Sequence, residues 1–109
     1  MDGHGDEITV EVTDATATVT LRGEVDATLA ARLAEVAARA DVAGRPVVVD
    51  LAAVTFMDST AIGFLLRLRS VAAGRVRVVD AGPFPRHLLE VAGVAHLFDV
   101  VGRGVPADG

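Results

Sequence analysis

Cysteine is absent from this sequence, so no disulfide and no thiolate metal site can form. Lysine is absent too, which excludes Schiff-base chemistry and P-loop phosphate binding. There is no tryptophan and no tyrosine, and four phenylalanines are the only aromatic residues. The core must therefore be built from Val, Leu, Ile and Ala, and so few aromatics argue against modules that stack bases on aromatic rings. All ten basic residues are arginines, scattered without a run and outnumbered by fifteen acids, for a net charge of −5. A phosphate-backbone binder needs a clustered basic face, so direct binding to nucleic acid is not expected. His4, His87 and His96 fall at no metal-ligand spacing, and structural or surface roles are expected for them.

What is present is a hydrophobic half, 51% of 109 residues. That is enough for one domain with one core, too short for two, and too apolar for disorder. Residues 46–66 are apolar enough to suggest a membrane span. Asp50 and Asp58 lie inside that window, and each costs roughly 2.5–3.5 kcal/mol near a bilayer centre. The polar, acidic start MDGHGDE is unlike a signal peptide. A cytoplasmic domain without membrane contact is expected.

Residues 7–13 and 16–22 alternate apolar and polar positions across a short turn at Asp14-Ala15, the pattern of an antiparallel hairpin. The pattern breaks at GEVDA, 23–27. Thr28 is placed to cap a helix in which Leu29, Leu33, Val36, Ala37 and Ala40 recur at helical spacing. Gly44 and Pro46 mark a stop and a restart. Val47, Val48 and Val49 read as a strand buried on both faces. A second helix is expected over 59–73, with Ile62, Leu65, Leu66 and the Leu68–Arg69 region inward and Arg67 and Ser70 outward. A strand over 75–81 follows, then a third helix opened by Pro83 and Pro85, and a short strand at 99–101. The tail, 102–109, reads as frayed. Strands alternating with helices imply largely parallel pairing in an α/β fold, made mixed by the first hairpin.

The stretch TFMDSTAIGF, 55–64, interrupts the apolar run with an acid and two hydroxyls. One explanation is a helix cap, for which an Asp or Ser is worth about 1 kcal/mol. One cap needs only one of Asp58, Ser59 and Thr60. The turn also stands at the carboxyl end of a strand, where open α/β sheets place their sites, and a helix start accommodates an anion such as phosphate.

Together GEVDATLAARL, VVVDLAAVTFMDSTAIGFLL and PFPRHLLEVAGVAHLFDVV resemble a STAS domain, of the bacterial anti-sigma factor antagonist type. The resemblance covers about residues 7–101 and makes the chain, 1–109, a single STAS domain with helices packed on a mixed sheet. It implies that Ser59 is the phosphoacceptor, with Thr60 a minor possibility, that Asp58 is the matching acid, and that Asp26 is an acidic position near the same surface. It further implies that Asp26, Asp58, Ser59, Thr60 and Gly63 form a partner surface. The partner would be an anti-sigma factor that is itself a serine kinase and binds the ATP and Mg that this chain does not need, with a phosphatase resetting the switch. The family usually has Gly after the hydroxyl pair, where this chain has Ala61.

Other readings fit less well. A receiver domain, suggested by VVVDL ending in Asp50, needs a late lysine that is absent. Asp50 is better read as a polar residue within or at the end of its strand. A hydrolase using Ser59 would need a His base within reach and a G-x-S-x-G elbow, and FMDSTAI is not one, so an enzyme is not expected. A STAS scaffold within a stress-signalling or lipid-transport complex, without a phospho-switch, stays open.

Overall fold

The computed structural model of the chain describes residues 7–102. The opening alternation becomes a hairpin, β1 (Ile8–Val12) antiparallel to β2 (Ala17–Val25), with Val12 opposite Ala17. Thr13 holds the turn, its hydroxyl accepting the N–H groups of Ala15 and Thr16, both at 3.1 Å. Such side-chain bonds are why Thr favours turns. Arg45 donates to the Thr13 carbonyl at 2.8 Å and ties the turn to the chain ahead of the next strand.

Three further strands add in parallel: β3 (Val47–Met57), β4 (Arg77–Ala81) and β5 (Asp99–Gly102). The sheet order is β1-β2-β3-β4-β5. Parallel neighbours need a crossover, supplied by α1 (Ala30–Ala37), α2 (Ser59–Val71) and α3 (Pro83–Val91). The mixed sheet with three helices is the fold expected from the sequence.

The core lies on one face of the sheet. Ala17, Val19, Leu21 and Val25 of β2, with Val47, Val49, Leu51 and Met57 of β3, are at most 1% exposed. Thr18, Thr20, Val48 and Asp50, between them, remain partly exposed. β3 is thus not buried on both faces: Val48 points away from the core, and the valine run hid an ordinary alternation. Nor does β2 stop at Gly23. It continues to Val25 through two register shifts against β3, between Thr20 and Arg22 and between Gly23 and Glu24. Gly23 takes φ +72° there, which a bulge tolerates best in glycine. Asp50 lies within β3 beside the first shift, its carboxylate accepting the N–H of Ala52 at 2.9 Å.

The first helix begins differently from expectation. Asp26, not Thr28, is the cap, leading a 3₁₀ turn at Ala27–Leu29 that runs into α1. α1 ends at Ala37, short of Ala40. Its Leu33, Val36 and Ala37 face the core. Gly44, at φ +80°, donates its N–H to the Val71 carbonyl at 2.8 Å and so fastens the α1–β3 connection to the end of α2. α2 buries Ala61, Ile62, Phe64, Leu65 and Leu68. Arg67 and Ser70 face out as expected, but Arg69 does so too rather than turning inward. Pro83 opens α3, where its missing N–H costs nothing, and Pro85 and Leu89 are buried. Among the described residues, no helix is long and apolar enough to cross a membrane. The readings for His4 and for 103–109 lie outside the described residues.

Candidate functional site

Two strand ends build the site. Val25 and Met57 are the last register pair of β2 and β3, and both side chains are buried. The next residue on each strand is an aspartate, so Asp26 and Asp58 leave the sheet side by side. Their backbones are nearly the same, at φ −132° ψ −167° and φ −132° ψ −160°. Each carboxylate accepts the N–H two residues on: Thr28 at 3.0 Å and Thr60 at 2.8 Å. This is N-capping, in which a side-chain oxygen satisfies a donor that the helix itself cannot pair.

The caps differ in one respect. The Thr28 hydroxyl also donates to Asp26, at 2.6 Å. That bond first, and the Thr28 N–H second, hold the Asp26 carboxyl below its ordinary value of 3.8.

At the second cap the three consecutive polar residues separate into roles. Asp58 provides the cap. Thr60 is half-buried and gives its N–H to that cap. Ser59 is exposed, and among the described residues its hydroxyl makes no hydrogen bond. It stands at the first position of a 13-residue helix, where unpaired N–H groups and the helix dipole favour an anion. An exposed hydroxyl with no structural duty, at a helix start beside a carboxylate, can accept a phosphoryl group without disturbing the fold.

Ala61 is fully buried, so its methyl group faces the core rather than solvent. Gly63, one turn beyond Ser59, is exposed, and a Cβ built on it would meet nothing within 4 Å. A groove of about 180 Å³ runs between α1 and α2, with Ala30, Leu33 and Ala34 on one side and Ser59, Gly63 and Arg67 on the other. The structure thus brings Ser59, Thr60 and Gly63 into one groove and places Asp58 at its end through the cap. Asp26 stands beside Asp58 but does not line the groove.

His87 and His96 are exposed, on α3 and in the turn after it, and neither hydrogen-bonds to Ser59. Among the described residues no group of three or more His, Asp or Glu is placed to hold a metal ion.

Sequence reasoning missed two features. One is the α1 wall of the groove, which pairs residues about thirty positions apart. The other is an exposed aromatic pair: Phe56, near the end of β3, and Phe84, in the first turn of α3, stack at 5.9 Å with a 20° interplanar angle. They are 43% and 44% exposed. The proline beside Phe84 marks a helix start, but nothing local announces that its ring meets Phe56.

A five-stranded mixed sheet with helical crossovers, and an Asp-Ser-Thr turn entering the second helix, define a STAS-type domain. The chain belongs to that family: the family model described as "Mlab, STAS domain" matches residues 8–102. The fold is similar to that of the anti-sigma factor antagonist SpoIIAA in its unphosphorylated form, at 23% identity over 88% of this chain and 89% of that one, with a TM-score of 0.69. An anti-sigma factor antagonist from Mycobacterium paratuberculosis is similar at 25% identity, over 93% and 87% of the two chains, with a TM-score of 0.68. The Bacillus cell fate determinant SpoIIAA in its phosphorylated form is similar at 23% identity, over 88% and 92%, with a TM-score of 0.58. No curated protein matches the chain.

Proposed function

We propose that this STAS domain is a cytoplasmic anti-sigma factor antagonist switched at Ser59. Unphosphorylated, it binds an anti-sigma factor and frees the sigma factor. The anti-sigma factor is a serine kinase that uses its own ATP and Mg to phosphorylate Ser59 and so ends the binding, until a phosphatase restores it. The observation that carries this reading is the exposed, uncommitted Ser59 hydroxyl at the start of α2, one residue past the Asp58 cap. The likeness to antagonists of the same fold, one of them in a phosphorylated form, supports it.

The switch acts on the partner rather than on the fold. A phosphate adds about −1.5 to −2 charges and three acceptor oxygens, and at an exposed helix start that charge is favoured by up to about 1 kcal/mol. A surface fitted to a neutral hydroxyl must instead desolvate a dianion beside Asp58, at a cost of several kcal/mol, where every 1.4 kcal/mol is tenfold in affinity. Wild type and Ser59→Ala are expected to bind the anti-sigma factor. Phosphoprotein, and more weakly Ser59→Glu, are not. Calorimetry with each form, alongside circular dichroism, tests this. Equal affinities for the two forms would end the switch, and a large loss of structure on phosphorylation would put its effect in the wrong place.

A scaffold role without a phospho-switch is the second reading, since a STAS domain matched over residues 8–102 does not by itself require a phosphoacceptor. Phosphopeptide mapping after incubation with candidate kinases separates the two. A scaffold gains no phosphate, an antagonist gains it on Ser59, and phosphate on Thr60 alone would refute the assignment.

A further inference from the structure

β1 stands at an edge of the sheet, with β2 on one side of it only. The turn after it fixes which way its backbone groups point. The Thr13 N–H donates to the Thr16 carbonyl at 2.9 Å, so residues 13 and 16 form a hydrogen-bonded pair. Such pairs alternate with non-hydrogen-bonded ones along an antiparallel ladder. Thr9 and Glu11 therefore turn their N–H and C=O groups to β2, while Ile8, Val10 and Val12 turn theirs to the open edge. Among the described residues nothing pairs with them there. Natural proteins blunt such an edge with lysine, proline or a bulge. The strand ITVEV has no proline, the chain has no lysine, and the β1–β2 register runs without a shift.

The side chains beside this edge are also left incomplete. Val10 and Val12 pack against the core yet stay partly exposed. A groove of about 170 Å³ opens there between β1 and α1, lined by the aliphatic Ile8, Val10 and Val36 and by Arg32, Glu35 and Arg39. Both arginines already hold an acid, Arg32 with Glu7 at 3.3 Å and Arg39 with Asp41 at 2.8 Å. What the groove offers an occupant is thus its apolar lining, next to a row of backbone donors and acceptors. That suits an added strand with aliphatic residues at alternate positions, and β1 is itself such a strand.

We infer that the chain forms a two-fold dimer through β1, with Val10 opposite Val10 of the second copy and the sheet continuing across the axis. A two-fold contact is self-complementary, and β1 meets that demand in one register. With the axis at Val10, Ile8 opposes Val12, Thr9 opposes Glu11, and the three outward-facing residues of each copy exchange N–H···O bonds with those of the other. No two like charges meet. Sliding the strands by two residues keeps the bonds in phase, but sets Glu7 opposite Glu11 or Glu11 opposite itself, and like charges directly opposite are destabilising. The aliphatic side chains of each copy then fill the groove of the other. The net charge of −5 on each copy opposes association at long range, but is screened beyond about 8 Å at physiological salt. This groove shares no lining residue with the one beside Ser59, so the dimer leaves both Ser59 sites free.

Sedimentation equilibrium of the full chain at physiological salt should approach, with rising concentration, twice the 11.2 kDa of one chain. Val10→Pro removes an N–H that faces the open edge and leaves the β1–β2 ladder whole. It should weaken dimerisation about tenfold or more while circular dichroism stays that of wild type. Because the chain has no cysteine, cross-linking can read the register. Positions 9 and 11 of the two copies form a non-hydrogen-bonded pair with Cα atoms about 4.5 Å apart, within disulfide range. Position 9 and its own equivalent are diagonal neighbours about 7–8 Å apart, out of that range. Thr9→Cys mixed with Glu11→Cys should therefore cross-link under oxidised glutathione, and neither variant should do so alone. A chain that stays monomeric at millimolar concentration overturns the inference, whatever else covers the edge. So does a folded Val10→Pro that dimerises as tightly as wild type, or a Thr9→Cys that cross-links to itself as readily as to Glu11→Cys. Where Val10→Pro does not fold, the cysteine variants decide alone.

Discussion

Asp26 and Asp58 are equivalent caps one strand apart: each directly follows a member of the buried Val25–Met57 register pair, and each accepts the N–H of the residue two positions on. The sheet register therefore fixes where both helices start. It also fixes Ser59, because the residue after the Asp58 cap has to be the first of α2. The acid next to the Ser59 hydroxyl is in the first place a structural element, whatever a kinase would make of it.

Separating cap from charge gives the first prediction. Asp58→Ala removes an acceptor from the helix start and should cost about 1 kcal/mol, lowering the melting temperature by about 4–8 °C. Asp58→Asn keeps an acceptor and should stay near wild type. If a partner kinase reads the carboxylate itself, Asn should slow phosphate incorporation as much as Ala does. If the acid serves only as a cap, Asn should be phosphorylated normally.

Asp26 supplies a pH signature. Its folded carboxyl titrates below 3.8 because the Thr28 hydroxyl and N–H bond the charged form. A depressed carboxylate contributes stability that is present above the unfolded value and is lost as pH falls through the folded one. This contribution should thus hold unchanged at neutral pH and fade only below about pH 4. Carboxyl-detected NMR should find Asp26 titrating below its ordinary value. In Thr28→Val, which removes the stronger bond, its midpoint should rise. A midpoint unmoved by Thr28→Val would show that the hydroxyl is not the cause.

The sequence was most legible where period and punctuation agree. Ile8, Val10 and Val12 against Ala17, Val19 and Leu21 gave the hairpin, whose register pairs Ile8 with Leu21 and Val12 with Ala17, and Pro83 marked the start of α3 to the residue. Reading failed where tertiary context overrode local pattern. Val47–Val49 look continuous, yet Val48 lies on the sheet face away from the core and stays partly exposed. Gly23 looks like a stop, yet the neighbouring strand absorbs it as a bulge. Thr28 and Asp26 are both good caps by residue type, and only the strand end at Val25 decides for Asp26. The Asp58–Ser59–Thr60 turn was visible from composition alone. The groove was not, since Ala30 and Ala34 meet Gly63 only after two crossovers have stacked α1 on α2.

The Phe56–Phe84 stack should couple the end of β3 to the start of α3. A double-mutant cycle with alanine at each position is expected to give about 0.5–1.5 kcal/mol, the range for aromatic pairs, toward the low end because both rings are more than two-fifths exposed. A coupling energy near zero in thermal or denaturant unfolding would mean that the rings merely lie side by side.

Leu65 should be far more costly. It is fully buried on the core face of α2, two turns from the helix start. Leu65→Ala leaves a cavity and should cost about 2–5 kcal/mol, a large fraction of a total that is typically 5–15 kcal/mol. Denaturant unfolding would show a lower midpoint with an unchanged slope. A loss under 1 kcal/mol would mean that α2 repacks, and that Ser59 is held less firmly than its helix suggests.

Ala61 stands two residues after Ser59, the proposed acceptor, where the resemblance leads one to expect glycine, and so bears on whether a kinase can reach Ser59. The methyl group is fully buried, so it occupies core space and cannot obstruct a docking loop. Ala61→Gly should then act on stability alone. It removes a buried methyl and puts a glycine in the first turn of the helix, the second change by itself costing up to about 1 kcal/mol. The melting temperature should fall while the initial rate of phosphorylation at Ser59, measured well below the transition, stays as it was. Should Ala61→Gly instead be phosphorylated several-fold faster at equal foldedness, the first turn of α2 must open for transfer, and alanine at this position would be a brake on the switch rather than a better-packed core.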